Sequence, residues 1–418
     1  MSFLRSLFSG VSGLRNQQTM MDVIGNNIAN INTVGFKASR ATFSELYAQT
    51  LQGSTQPTAT TGGTNPIQVG LGMKINSIDT LFTQGSFETT GVDTDLALSG
   101  TGFFVVNQGS KTLYTRDGTF KLDANGKMVN PGTGTILQGK LADALGNIPS
   151  GTALQDIQIQ MDMKAPAKAT TTAKFGGNLD SSAAVGDIVK SSVTVFDSLG
   201  NKTTVDLTFT KTGNNAWSWS AATPAPATTA SAGTITFNNT DGTVNTLTGS
   251  PIVVDPGTGA PPVSFAFNLG TPAATAPGDL SGLTQTAGES SVAMRDQDGY
   301  TSGTLTGITV ETSGVIRGTF SNSTKLALGQ IMVAEFNNPS GLMKTGSNLF
   351  DVSGNSGSPA IVNPGGSTSI VSGALEQSNV DLADEFTKMI TAQRGFQANA
   401  RVITTSDEIL QEVVALKR

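Results

Sequence analysis

The sequence predicts a mainly β protein with long α-helical termini. It reads as a nested multidomain subunit whose terminal helices form a coiled-coil-like inner layer beside two or more β-rich outer domains. Three observations carry this expectation. Apolar residues recur at heptad spacing at both ends of the chain. Most of the 49 Gly and 16 Pro in the 418 residues lie between these ends and break the chain there into short β-prone runs. Finally, the pattern of the first β runs returns after residue 290, beyond a stretch of different character.

Taken in order, residues 2–29 predict a helix with Leu4, Leu7, Val11, Leu14, Met21 and Ile28 on one stripe, weakened at Gln18 and Gly25. The run Gly25-Asn-Asn-Ile-Ala-Asn30 to Lys37 is dense in Asn and Gly, which tolerate left-handed backbone, so it predicts a helix end and an ordered turn. A second short helix is expected over 43–49 and an extended Thr/Gly/Gln loop over 52–65. Short antiparallel strands follow over 73–78, 97–98, 103–106 and 113–116, with a hairpin turn at Asp123-Ala-Asn-Gly126.

The aperiodic run 161–172 is expected to be a hinge. Beyond it a second β domain is predicted, with strands over 192–196, 203–210, 217–220, 234–237 and 263–268, and an exposed Ala/Thr/Pro loop over 221–232. Trp217 and Trp219 share a strand face by period two, and one of them is expected in the core. The first β domain then resumes over 308–311, 316–320 and 331–336, ahead of a Gly/Ser-rich stretch over 346–373. Residues 379–418 close the chain as one long helix. Its seam is Leu382, Phe386, Met389, Phe396, Ile403, Leu410 and Val414, interrupted by Gln393 and Asp407, with acids at its start and Lys417 and Arg418 at its end.

Composition removes several function classes. Only 13% of residues are charged, and 25 basic against 31 acidic side chains leave a net charge of −6, the wrong balance for a nucleic-acid partner. Without Cys there are no disulfides or thiolate metal sites, and without His the commonest general base and metal ligand is missing. No apolar run is long enough to insert in a membrane, and Arg15, Gln17 and Gln18 interrupt the start before any signal-peptide core forms. Asp93-Thr-Asp95 and Asp296-Gln-Asp298-Gly299 space carboxylates as a hard cation would want, but lack the downstream Glu of a calcium loop. Turn chemistry accounts for them, and no catalytic, cofactor or metal site is expected.

These stretches together resemble the bacterial flagellar rod and hook axial proteins, most closely the hook members. The resemblance lies in Gly25-Asn-Asn-Ile-Ala-Asn30 with Thr33-Val-Gly-Phe-Lys37, in Thr94-Asp-Leu-Ala-Leu98 with Gly100-Thr-Gly-Phe-Phe104, and in Thr115-Arg-Asp-Gly118. It continues in Val195-Phe-Asp-Ser-Leu-Gly-Asn201, Gly373-Ala-Leu-Glu-Gln-Ser-Asn-Val-Asp-Leu382 and Gln393-Arg-Gly-Phe-Gln-Ala-Asn399. Asn26, Asn27, Asn30, Gly35, Phe36, Asn379, Asp381, Gln393 and Arg394 are thereby marked as motif residues. The resemblance implies a homopolymeric helical tube linking the motor's rod to the filament, extracellular, and exported by the flagellar type III route without a cleaved signal. It also implies contacts with rod, hook-cap and hook–filament junction proteins.

The division expected from this is a helical inner domain (1–32 plus 373–418), a connecting segment (33–91 plus 360–372), a first β domain (92–165 plus 291–359) and an inserted outer β domain (166–290). The stretch 49–65 resembles an extra segment of distal rod proteins, which are expected to be shorter and to lack the inserted domain. That makes a distal rod protein the second reading. A secreted β-rich adhesin is a third, and it leaves the matched terminal heptads without a purpose.

Overall fold

The computed structural model describes residues 2–58, 60–151, 153–270 and 281–415. Lys417 and Arg418 lie outside these residues, as does the side chain of Leu4. Helix α1 is Ser2–Ala29 and helix α2 is Leu382–Ala415. Asp381 starts α2 by accepting from the amides of Ala383 (2.8 Å) and Asp384 (3.3 Å), the usual service of an N-cap carboxylate.

After α1 the chain forms a long two-stranded ribbon. Strand β1 (Ser39–Glu45) pairs antiparallel with β4 (Met73–Thr80), and β2 (Ala48–Gln52) with β3 (Ile67–Gly70). The helix expected over 43–49 is therefore absent. Its residues continue the ladder, because the partner strand satisfies their backbone and Leu46 and Leu71 donate across the joint to Gly72 and Tyr47. The extended loop expected over 52–65 is the tip of this ribbon.

The first β unit is built around Phe103–Gln108, which pairs with Lys111–Thr115, Ile136–Leu141 and Val333–Glu335. Its first four residues are buried on both faces. Phe104 and Val106 enter a core with Leu96, Leu98, Phe120 and Ile331, while Phe103 and Val105 join Tyr114, Phe336 and Phe350 on the other side. A strand buried twice reads as a continuous apolar run, which Phe103-Phe-Val-Val106 is. The strand expected over 331–336 is broken at Met332: Lys325–Ile331 pairs with Val315–Phe320, whereas Val333–Glu335 turns to Phe103–Gln108.

The outer β unit is two facing sheets. A meander runs Ile188–Phe196, Lys202–Gly213, Ala216–Ala222, Ala232–Phe237 and Val244–Leu247. Opposite it, Thr172–Asn178 pairs in parallel with Val263–Asn268 and antiparallel with Ser291–Gln297. Residues 291–297, expected in the first β domain, thus sit in a sheet of the outer unit. Both tryptophans are buried rather than one, packed with Phe209, Phe265 and Phe267. The 161–172 run is partly ordered too, since Lys164–Ala165 pairs with Gly303–Val310.

Candidate assembly surface

The two terminal helices run antiparallel and touch through a narrow stripe of small and polar side chains. Ser6 and Ser406 face each other at 3.4 Å between hydroxyls. Gly10 packs on Ile403, Gly13 on Asn399 and Gln17 on Gly395, and at the far end Asn27 Nδ2 donates to Glu385 at 3.1 Å. A Cβ on Gly13 would lie 2.6 Å from the Asn399 amide, so the helices come this close only because Gly13 has no side chain. Steps of four and three along α1 (Ser6, Gly10, Gly13, Gln17, then the buried Ile24 and Asn27) are the heptad rhythm.

Apart from Ile403, the apolar stripe singled out in the sequence lies beside this contact rather than in it. Leu7, Leu14, Met21 and Ile28 are half-buried and Val11 is exposed. On α2, Ile403 meets Gly10, Met389 and Leu410 are half-buried, and Leu382, Phe386, Phe396 and Val414 are exposed. Further exposed apolar residues, Ile390, Val402, Ile409 and Val413, were not singled out because each sits one position away from a member of that stripe.

The motif residues converge where the helices meet the ribbon and the first β unit. Asn27, almost wholly buried, accepts from the Ser39 amide (2.9 Å) and donates to the Ser39 carbonyl (2.8 Å) as well as to Glu385. Asn30 Nδ2 donates back to the Asn26 carbonyl, and its Oδ1 accepts from Thr33 Oγ1. Asn379 Oδ1 accepts from the Ala38 amide at 2.8 Å, and its Nδ2 donates to the carbonyls of Leu81 and Thr83. Gly35 has φ +68° and passes so close to Arg116 that a Cβ would meet its backbone at 2.7 Å. Phe36 is buried beneath the Lys344 ammonium, 5.3 Å from the ring centre, whereas Gln393 and Arg394 are exposed and join none of this.

At the centre of this junction is a buried ionic cluster that sequence reasoning missed. Glu376 accepts from Lys37 Nζ (2.6 Å), Gln84 Nε2 (2.7 Å) and the Gly85 amide (3.0 Å) on one oxygen, and from Arg116 (3.2 Å) on the other. Its side chain and that of Lys37 have no exposed surface, and Arg116 is nearly as enclosed. Two cations share one carboxylate, and the carbonyls of Thr83, Leu98 and Gly100 take further donors, while the buried Nε of Arg116 has no hydrogen-bond partner. Burial pulls the pKa of Lys37 down and Glu376 opposes that fall; Arg116 is lowered for the same reason. Each charge sits in a separate motif, so the signal available was three lone charges within otherwise apolar or Gly-rich stretches.

On the far side of α1 an open groove of about 540 Å³ lies against the ribbon. Asn16 Nδ2 holds the two together by donating to the Met73 carbonyl at 2.7 Å. Among the described residues no cluster of three or more Asp, Glu, His or Cys is placed to hold a metal, and no helix is long and apolar enough to cross a membrane. Asp298 is spent on structure. It accepts from Thr171 Oγ1 and from the amides of Thr171 and Thr172 and pairs with Lys168, and although burial pushes its pKa up, these donors hold the carboxyl well below the usual carboxylate range.

Comparison with known proteins agrees across the chain. Four family models match: "Flagella basal body rod protein" over 7–37, "Flagellar hook protein FlgE/F/G D1 domain" over 97–171, "Flagellar basal body protein FlaE D2 domain" over 188–300 and "Flagellar basal body rod FlgEFG protein C-terminal" over 371–416. The flagellar hook protein FlgE of Borreliella burgdorferi is 40% identical, over 99% of this chain and all of its own. The flagellar basal-body rod protein FlgG of Bacillus subtilis is 33% identical over the same share of this chain and the whole of its own. The crystal structure of Helicobacter pylori flagellar hook protein FlgE2 aligns with a TM-score of 0.54 at 13% identity, over 69% of this chain and all of that one, a likeness of fold.

Proposed function

The chain belongs to the bacterial flagellar hook protein family, and from that membership we propose how its parts divide the work of a hook. It is a structural subunit of the hook. In our reading α1 and α2 form the inner layer of a helical tube, and the two β units form outer layers whose polar Thr, Ser and Asn contacts are exchanged as the tube bends. The partners are further copies of the chain, with rod, cap and junction proteins at the ends of the tube. Export by the type III route places it outside the cell, and no step of this function calls for catalysis, a cofactor or a metal.

The observation that carries the inner-layer assignment is the mismatch on α2. The stripe it presents to α1 contains Glu385, Asn399 and Ser406, while Leu382, Phe386, Ile390, Val402, Ile409 and Val413 remain exposed. A helix that buries polar groups and exposes this much apolar surface draws its stability from neighbours. Phe386→Asp is the test. The side chain is 49% exposed, so the isolated subunit should melt as the parent does, while polymerisation falls because the charge enters a packed layer. Sedimentation and electron microscopy read the polymer, and limited proteolysis should show both termini protected in it. Normal tubes from Phe386→Asp would end the inner-layer reading.

A further inference from the structure

The groove between α1 and the ribbon has an apolar floor and a basic rim. Phe8 and Tyr47, 69% and 76% exposed, line it with Val11, and Arg5, Arg15 and Lys74 stand along it. None of these three cations forms an ion pair among the described residues. At about 100° per residue, Phe8, Val11 and Arg15 lie nearly opposite Ser6, Gly10, Gly13 and Gln17, the side on which α2 sits.

We propose that this groove receives the C-terminal half of α2 from a second copy of the chain. Val402, Ile409 and Val413 stand on one side of α2 as an exposed ridge, spaced seven and four residues apart. Glu408 and Glu412 flank the ridge on the side away from α1, and no Lys or Arg occurs from Val402 to Ala415. An apolar ridge with an acidic flank suits an apolar groove with a basic rim, the helix-in-groove mode of recognition. The chain cannot fill its own groove, because its α2 is held on the opposite side of α1. Groove and ridge are different surfaces, so each copy offers one of each, and the contact is heterologous. Such a contact adds subunits head to tail and gives an open helical array unless the rotation closes. The inference rests on the assembly reading above and assigns one contact within it.

The test uses the purified full chain and charge reversal. Arg15→Glu with Lys74→Glu reverses the groove, and Glu408→Lys with Glu412→Lys reverses the ridge; all four positions lie on the surface, and melting curves check the fold. Each reversed protein alone should assemble about tenfold more slowly than the parent, because like charges then meet at the contact. An equimolar mixture should recover, since each reversed surface finds its complement and the two unreversed surfaces still match. Phe8→Ser, which keeps the charges, should slow assembly without recovery in any mixture. Parent-like assembly of both reversed proteins, or a mixture as slow as its components, would overturn the docking while leaving hook assembly standing. Failure of the parent itself to polymerise would instead remove the assembly reading and the docking with it.

Discussion

Glu376 has the hardest task of any single residue in the chain, because it alone balances Lys37 and Arg116 where no water reaches them. Removing one member of such a cluster costs more than the cluster contributes, since the others stay charged and buried. Glu376→Leu should therefore lower stability by about 3–5 kcal/mol, read as a shift in the denaturant midpoint of the first β unit's transition. Replacing Lys37, Arg116 and Glu376 together by apolar residues should recover much of that loss, and a triple variant no better than Glu376→Leu would show that the cluster is needed as charge. Little of this was legible beforehand. Lys37, Arg116 and Glu376 are separated by 79 and 260 residues, and nothing local marks a charge as buried. The Asp and Asn turn residues were readable because their bonds are local: Asp123 accepts from the amides of Asn125 and Lys127 within its own turn.

At the scale of elements, helices and strands diverge in how well they were read. The bounds of α1 follow from a pattern that needs no partner, and period two placed Trp217 and Trp219 on one face. The ribbon was misread because β2 and β3 are exposed on both faces and show no alternation, so only their pairing identifies them. The α1–α2 contact was displaced by one residue for a related reason. Hydropathy points to Leu7, Val11 and Leu14, but the closest approach belongs to Gly10 and Gly13, which carry no hydropathy signal. Gly13→Leu should drive the helices apart, at about 1–3 kcal/mol for the overpacking. Far-UV circular dichroism should show lost helix while the tryptophan fluorescence of the outer unit is unchanged. Retention of full helix content would mean that the pair is not held by this approach.

For the whole molecule, the nesting was evident from the return of the first β pattern, but the neck of the insertion was not, since 161–172 has no periodicity. The neck is a crossing of two strands. Lys168 and Tyr300 exchange both backbone bonds at 3.0 Å, and Asp298 ties Thr171 and Thr172 to the returning strand just beyond. Cutting there, rather than at 166 and 290, removes both outer sheets cleanly. Joining residue 169 to residue 299 should leave a protein that folds and forms tubes with altered stiffness or curvature. If the shortened chain stays folded but no longer polymerises, the outer unit belongs to the assembly core and the layered arrangement fails.

The antiparallel helix pair has one more consequence, which concerns time rather than space. Ser6 and Ser406 meet although 400 residues separate them, so α1 is made long before the helix it pairs with. Both β units can fold while α1 waits, because their cores use nothing from α2. A chain ended between Asn379 and Leu382 keeps both β cores and Glu376, so it is a set of folded β units without the ridge and the seam that α2 supplies. Synthesis through α2 becomes a condition of joining the tube, enforced by the pairing of two helices so far apart in the chain.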